Sequence, residues 1–306
     1  MSKKKLLIAL GVLGSLGLVA CGDNKEVAPN AQISGTSCSE LSGDMGSGND
    51  LKIISLSPTA TEMVYAIGAG EQVIGVDNMS NYPEAAGGAE SKLSGFEPNV
   101  EAIAGMEPDV VLISYDPGDL EVQLEGLGID TWTGYAAMTL DESYTQLAEL
   151  GALTGHESGA ATVIECMKTA ISAITETVQE MQADDDAASY YYELDDTYYS
   201  VTSNTFVGQL MSSLGLLSIA DGVAEGNDYP QLNIETIVSS DPDYIFLADT
   251  ICCAQTAATV AARPGWSEMT AVVENRIVEL DDDIASRWGP RVVDLLTTVA
   301  NAISSN

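Results

Sequence analysis

Basic residues are scarce in this 306-residue chain, where 11 Lys+Arg stand against 46 Asp+Glu and the formal net charge is −35. So acidic a surface repels phosphate backbones, which excludes nucleic acid as a partner. The acidity itself speaks to solubility or salt adaptation, not to fold. Histidine is limited to His156. That removes most metal sites and most imidazole-based catalysis. There is no C-x-x-C, so zinc ribbons, iron–sulfur sites and thioredoxin chemistry have no support. Neither G-x-S-x-G nor H-E-x-x-H occurs, so a secreted hydrolase lacks its usual marks. Aromatics make up only 6% of residues, against 45% hydrophobic overall. The length suits two ordinary domains, each with its own core.

The few basic residues are placed unevenly. Lys3, Lys4 and Lys5 open the chain, and all four arginines (Arg263, Arg276, Arg287 and Arg291) fall near its end. After the lysines comes an apolar run, LLIALGVLGSLGL, too short to span a bilayer comfortably. It ends in Leu18-Val19-Ala20-Cys21. The order of charge, apolar core and cysteine resembles a bacterial lipoprotein signal. That resemblance implies cleavage of residues 1–20, lipidation of Cys21 and an extracytoplasmic protein held on the cell membrane without a spanning helix. Residues 21–50 are rich in Gly, Ser, Asn and Asp, lack periodicity and read as a flexible tether. Four further cysteines, Cys38, Cys166, Cys252 and Cys253, allow three full pairings in an oxidising compartment. Adjacent Cys252 and Cys253 could close on each other, or one could reach Cys166.

From residue 51 the chain alternates strand and helix. Leu51 to Leu56 is a buried-strand run, Ser57 is an N-cap candidate and Pro58 suits a first helical turn. That helix is expected to stop at Gly68. Strands are predicted at 73–76 and 110–113, with a short helix at 99–106 between them. Alternation of this kind means βαβ units and a parallel sheet. The second half repeats the first. Asn99-x-Glu101-x-Ile103 with Pro108-Asp109 matches Asn233-x-Glu235-x-Ile237 with Pro242-Asp243 at a constant offset of 134. Gly68 with Tyr82-Pro83 matches Gly215 with Tyr229-Pro230 at an offset of 147. Two similar lobes follow, at 51–155 and 184–306. Between them, residues 156–183 carry an apolar stripe of helical period with no proline. A helix of that length is about 40 Å long, a stiff strut permitting only small opening motions.

The collinear order of these segments resembles the solute-binding proteins of ABC importers for cobalamin and ferric siderophores. The residues that carry it are Ser55 to Glu62, Gly75-Val76, Tyr82-Pro83 and the two Asn-x-Glu-x-Ile…Pro-Asp segments. Arg263-Pro264-Gly265-Trp266 and Arg287-Trp288-Gly289-Pro290-Arg291 complete the set. The resemblance implies an α/β fold of two Rossmann-like lobes, with parallel helix-flanked sheets joined by one long backbone helix. It implies a monomer without catalytic activity or resident cofactor, whose cargo is a corrinoid or another metal chelate. It also implies that Glu101 and Glu235 dock onto the importer's membrane permease, which works with an ATPase. Their equivalent places in the two repeats suit a symmetric partner. Asp283 and Arg287 match a ligand-binding Asp and an Arg four residues later in the cobalamin-binding member.

The cargo is expected between the lobes, at the loops after the strand ends. Broad planar ligands need large rigid apolar faces. The aromatic candidates are Tyr82, Phe96, Tyr115, Tyr198, Tyr199, Tyr229 and Trp288, with Arg287 as an anion hook or a partner of Asp281, Asp282 or Asp283. Tyr190-Tyr191-Tyr192 reads as a strand with alternate faces buried. Other readings of the same fold are a haem-binding receptor and a surface sensor lipoprotein outside transport. A receptor for free zinc or manganese lacks the histidines it would need.

Overall fold

The computed structural model describes residues 32–41, 45, 46, 48–88, 90–182 and 187–305. The signal, the lipidation candidate Cys21 and residues 22–31 lie outside these. Ile53–Ser55 forms β1, led by two β-branched isoleucines. Ser57 then caps α1 (Pro58–Ala66), its side chain accepting the Ala60 N–H, with Pro58 at the helix start. Gly68 closes this unit at φ +93°, a conformation that suits glycine. The remaining elements of this half are β2 (Val73–Asp77), β3 (Glu90–Leu93), α2 (Val100–Gly105), β4 (Val110–Ile113), α3 (Leu120–Glu125), β5 (Asp130–Thr133) and α4 (Leu140–Thr154). They give a wholly parallel sheet in the order β3-β2-β1-β4-β5.

After α5 (Glu157–Met181) the second half runs β6 (Ser189–Glu193), α6 (Phe206–Ser213), β7 (Leu217–Ser218), α7 (Ile234–Ser240), β8 (Tyr244–Leu247), α8 (Ala257–Ala261), α9 (Thr270–Val273), β9 (Ile277–Glu279), α10 (Asp282–Ala285) and α11 (Val292–Ser304). Its sheet is again parallel, in the order β7-β6-β8-β9. Strand for strand this repeats β2-β1-β4-β5 of the first sheet, without a counterpart of β3. The repeated sequence motifs have a structural task. Asn99 and Asn233 cap α2 and α7, accepting the Ala102 and Thr236 N–H groups. Asp109 and Asp243, after the two prolines, accept the N–H of Lys52 (2.8 Å) and of Ser189 (2.7 Å). Each aspartate thereby ties the start of one strand to the entrance of its neighbour.

Unbroken α5 has a length of about 37 Å at 1.5 Å per residue. Its buried stripe, Val163, Met167, Ile171, Ile174 and Val178, packs with α4 and α11. One apolar core runs from β1 and α1 through α5 and α11 to Tyr190, Tyr192 and Phe246. Two smaller cores fill the other faces of the sheets. Tyr190, Tyr191 and Tyr192 are all fully buried, rather than alternately as the sequence pattern implied. Central β6 has packing on both faces, as parallel strands covered by helices do.

The reading of 21–50 as a tether fails for its described part. Cys38 is fully buried and bonded to Cys166 of α5. Ile33 exchanges hydrogen bonds with the Asn301 side chain on α11. Gly35 lies so close to that helix that a Cβ would fall 2.1 Å from Thr297 Oγ1. Further on, Asn49 donates to the Thr154 and Leu153 carbonyls. A polar, glycine-rich composition here serves close approach, not freedom. His156, at the start of α5, is buried with Nδ1 3.0 Å from the Thr154 carbonyl.

Candidate functional site

In an open parallel sheet, ligands gather outside the carboxyl ends of the strands. Here the loops leaving those ends enclose two adjoining pockets. The first, about 340 Å³, is bounded by Ser57 to Thr59 after β1, Asp77 and Met79 after β2, Phe96 after β3 and Tyr115 after β4. The second, about 280 Å³, lies against Leu194 after β6, Ala248 after β8, Phe206 of α6 and Tyr229. Ser286, Arg287 and Trp288, following α10, belong to both walls. The cleft is thus built from both lobes around one short C-terminal segment.

Phe96 is the most exposed aromatic of the chain's candidates at 70%, its ring centroid 6.2 Å from that of Tyr115. The Tyr115 hydroxyl donates to the Gly95 carbonyl at 2.9 Å, fixing its ring on the pocket wall. Trp288 donates Nε1–H to Gln146 Oε1 (2.8 Å), and its carbonyl accepts from the Ser143 hydroxyl, so α4 holds it in place. Asp77 has a raised carboxyl pKa because burial outweighs the Met79 and Ser80 amides that bond it.

Arg287 is not a free anion hook. It is only 7% exposed, and both of its Nη groups are occupied. Nη1 donates to Glu62 Oε1 (2.5 Å), and Nη2 donates to Asp283 Oδ1 (2.6 Å) and to the Met79 carbonyl (3.0 Å). Asn81 Oδ1 accepts from both, at 3.3 Å, while Asn81 Nδ2 donates to Asp283 Oδ2 at 2.6 Å. Arg291 completes the cluster through Nε to Glu62 Oε2 (3.0 Å) and Nη2 to Glu62 Oε1. Burial opposes the Arg291 charge, but the bonded Glu62 carboxylate outweighs it and raises the pKa. Two cations therefore meet two carboxylates, and the cluster joins α1 of the first lobe to the chain beyond β9 of the second.

The structure separates the sequence candidates. Phe96, Tyr115, Arg287 and Trp288 gather at the first pocket, and Tyr229 lies with Arg287 and Trp288 at the second. Asp283 lines neither and acts through Arg287. Tyr82 turns away, its hydroxyl 2.9 Å from both Ser39 Oγ and Glu40 Oε1 and its ring 4.2 Å from the Arg291 guanidinium carbon. Tyr198 packs beside Trp266 and Arg263 in the second lobe's outer core, and Tyr199 pairs with Gln231 by a backbone bridge. Local sequence could not place these three, because each is positioned by partners distant in the chain. Glu62, Asn81 and Gln146 were missed. The only sequence signal for Glu62 was a carboxylate in the middle of an apolar helix face. Glu101 and Glu235 are exposed in the first turns of α2 and α7. Among the described residues, no group of three or more His, Cys, Asp or Glu could hold a metal ion. No helix among them is long and apolar enough to cross a membrane.

The architecture and cleft are those of a two-lobed binding protein. Residues 53–284 match the periplasmic binding protein family, and the chain belongs to it. An ABC transporter substrate-binding lipoprotein of Bacillus subtilis, YvrC, is 28% identical over 316 residues, covering 99% of this chain and 98% of the relative. A cobalamin-binding protein of Halobacterium salinarum is 31% identical, over 82% of this chain and 69% of its own. The periplasmic vitamin B12 binding protein BtuF of Vibrio cholerae superposes with a TM-score of 0.67 at 23% identity, covering 83% of this chain and 98% of that one. The periplasmic heme binding protein HutB of Vibrio cholerae gives 0.71 at 18% identity, with 83% and 99% covered. At such identities the solved structures speak to the fold.

Proposed function

We propose that this chain is the extracytoplasmic capture protein of an ABC importer, taking a corrinoid or a related metal chelate between its lobes. The observation that carries the reading is the cleft itself: aromatic walls from one lobe face apolar walls from the other across Arg287 and Trp288. The relatives named for ABC transport and for cobalamin support it. The pockets adjoin, so a cargo larger than either can spread across both. Phe96, Tyr115, Tyr229 and Trp288 supply flat faces for a macrocycle or chelate. Because Arg287 is paired with Glu62 and Asp283, it presents a cargo with little net charge. The protein binds and releases, and performs no chemistry on its cargo. It acts as a monomer, held to the membrane by lipid on Cys21.

Glu101 and Glu235 are the docking acids for the permease, which is driven by its ATPase. Each is exposed at the second position of a helix capped by an equivalent asparagine, and such charges chiefly steer and register an encounter. Charge reversal of both is expected to abolish uptake in cells while leaving cargo affinity unchanged. Uptake that persists would refute the docking assignment. Haem is the competing cargo, and a titration of the purified chain separates it by spectrum.

A further inference from the structure

The cysteines of this chain fall into two pairs of opposite character. Cys38 and Cys166 are bonded, with Cα atoms 5.8 Å apart across 128 residues and Cys38 fully buried. Cys252 and Cys253 are adjacent, unbonded and at the surface, Cys252 exposed and Cys253 partly so. Their Sγ atoms lie 2.6 Å apart. With Cys38 and Cys166 bonded to each other, the partner left for each among the described residues is the other. We propose that Cys252 and Cys253 form a reversible dithiol–disulfide couple, a redox modification site in the loop after β8 that exchanges with small-molecule disulfides and thiols.

Several features carry this. The separation of neighbouring Cα atoms, about 3.8 Å, falls below the usual range for a disulfide, about 4.4–6.8 Å. Closure must therefore strain the small ring that joins the two residues. Strained, exposed disulfides are the readily reduced ones, unlike buried structural bonds. The loop is also held ready in its open form. The Asp282 carboxylate accepts the N–H groups of Ile251 (3.0 Å) and Cys252 (2.8 Å) and the Thr250 hydroxyl (2.9 Å). Burial alone would raise the Asp282 pKa, but these amides outweigh it and hold the group charged. Asp282 begins α10, and the next residue, Asp283, grips Arg287 on the cleft wall. The pair is thus one hydrogen bond and one helix turn from the cleft. Burial, and then Cys253 and Asp282, push the Cys252 thiol up to about 12, so the first attack on a disulfide falls to Cys253 and Cys252 resolves.

The exchange balances with a disulfide reagent as oxidant. One protein thiolate attacks the reagent's S–S bond, forming a mixed disulfide and releasing one reagent thiolate. The neighbouring thiol loses its proton to solvent and displaces the second. Two protein thiols are oxidised as one reagent disulfide is reduced to two thiols.

The test equilibrates the purified full chain in a series of glutathione buffers of rising oxidised fraction. Acid quenching, alkylation of free thiols, digestion and mass spectrometry follow. The expected result is a peptide containing both cysteines that becomes two hydrogens lighter and unalkylated as the buffer is oxidised, while the Cys38–Cys166 bond stays closed throughout. Asp282→Ala removes the acceptor that favours the open loop, so its closed fraction at a fixed buffer is expected to rise several-fold. Thiols that remain alkylatable at the oxidised limit, or that end only as glutathione adducts or interchain dimers, would overturn the proposal. An unchanged midpoint in the Asp282→Ala chain would overturn the link to Asp282. The readout is thiol state alone, so it stands apart from the identity of the cargo.

Discussion

Glu62 should be among the most sensitive positions in the chain. Its carboxylate is fully buried and receives Arg287 and Arg291, whose side chains are 6% and 9% exposed. Glu62→Gln keeps the shape and removes the charge. Arg291 then faces a neutral amide, and Arg287 is left with Asp283 as its counterion. Breaking a buried pair by neutralising one partner costs about 3–5 kcal/mol, because the other charge stays desolvated. For a chain of this size each kcal/mol moves the melting temperature by about 1.5–2 °C, so the midpoint should fall by roughly 5–10 °C. Since the cluster joins the lobes, the loss should appear in the main unfolding transition rather than as a minor early one. Thermal unfolding followed by circular dichroism at neutral pH reads both. Replacing Glu62, Arg287 and Arg291 together with apolar residues of similar volume should cost far less. A Glu62→Gln chain that melts at the wild-type temperature would refute the reasoning.

Two further outcomes follow from buried groups. Asp249, fully buried at the end of β8, has its carboxyl pushed up to about 7 by burial and by the neighbouring Glu193 charge, with Arg263 pulling the other way. A folded-state pKa above the unfolded value, about 3.9, means the native state binds this proton more tightly. Its contribution is full below pH 4 and is lost as pH rises through 7. Asp249→Asn should flatten that part of the stability profile and raise the melting temperature above pH 7, and an unaltered profile would remove Asp249 as its source. Replacing Cys38 and Cys166 by serine should cost about 2–5 kcal/mol, as expected for a long closed loop, read as a lower urea midpoint. An unchanged midpoint would show that packing alone holds the strap at 32–41.

Much of the fold was legible because it is written locally. The strand run at 51–56, the Ser57-Pro58 helix start and the uninterrupted apolar stripe of α5 depend on near neighbours. The repeat was legible for a reason visible only in three dimensions: Asn99 with Asp109 and Asn233 with Asp243 perform the same capping and strand-tying tasks. The site was less legible. The pair of Arg287 with Asp283, four residues before it, was legible locally, but Glu62, its other partner, lies 225 positions away and no local pattern announces it. Likewise Tyr82 and Tyr198 look like cleft aromatics until their partners, Arg291 and Trp266, are known. Composition misled at 32–50, where Gly35 and Gly48 permit tight packing against Thr297 and His156.

The central claim is capture of a bulky chelate between the lobes at the aromatic wall. Its most direct test is an equilibrium titration of the purified chain with aquocobalamin, haemin and a ferric siderophore, followed by difference absorbance, in wild type and Phe96→Ala. Saturable binding of one of these, weakened in the variant while its melting curve is unchanged, is the predicted result. Absence of binding by all three, or an affinity indifferent to the loss of Phe96, would contradict the account.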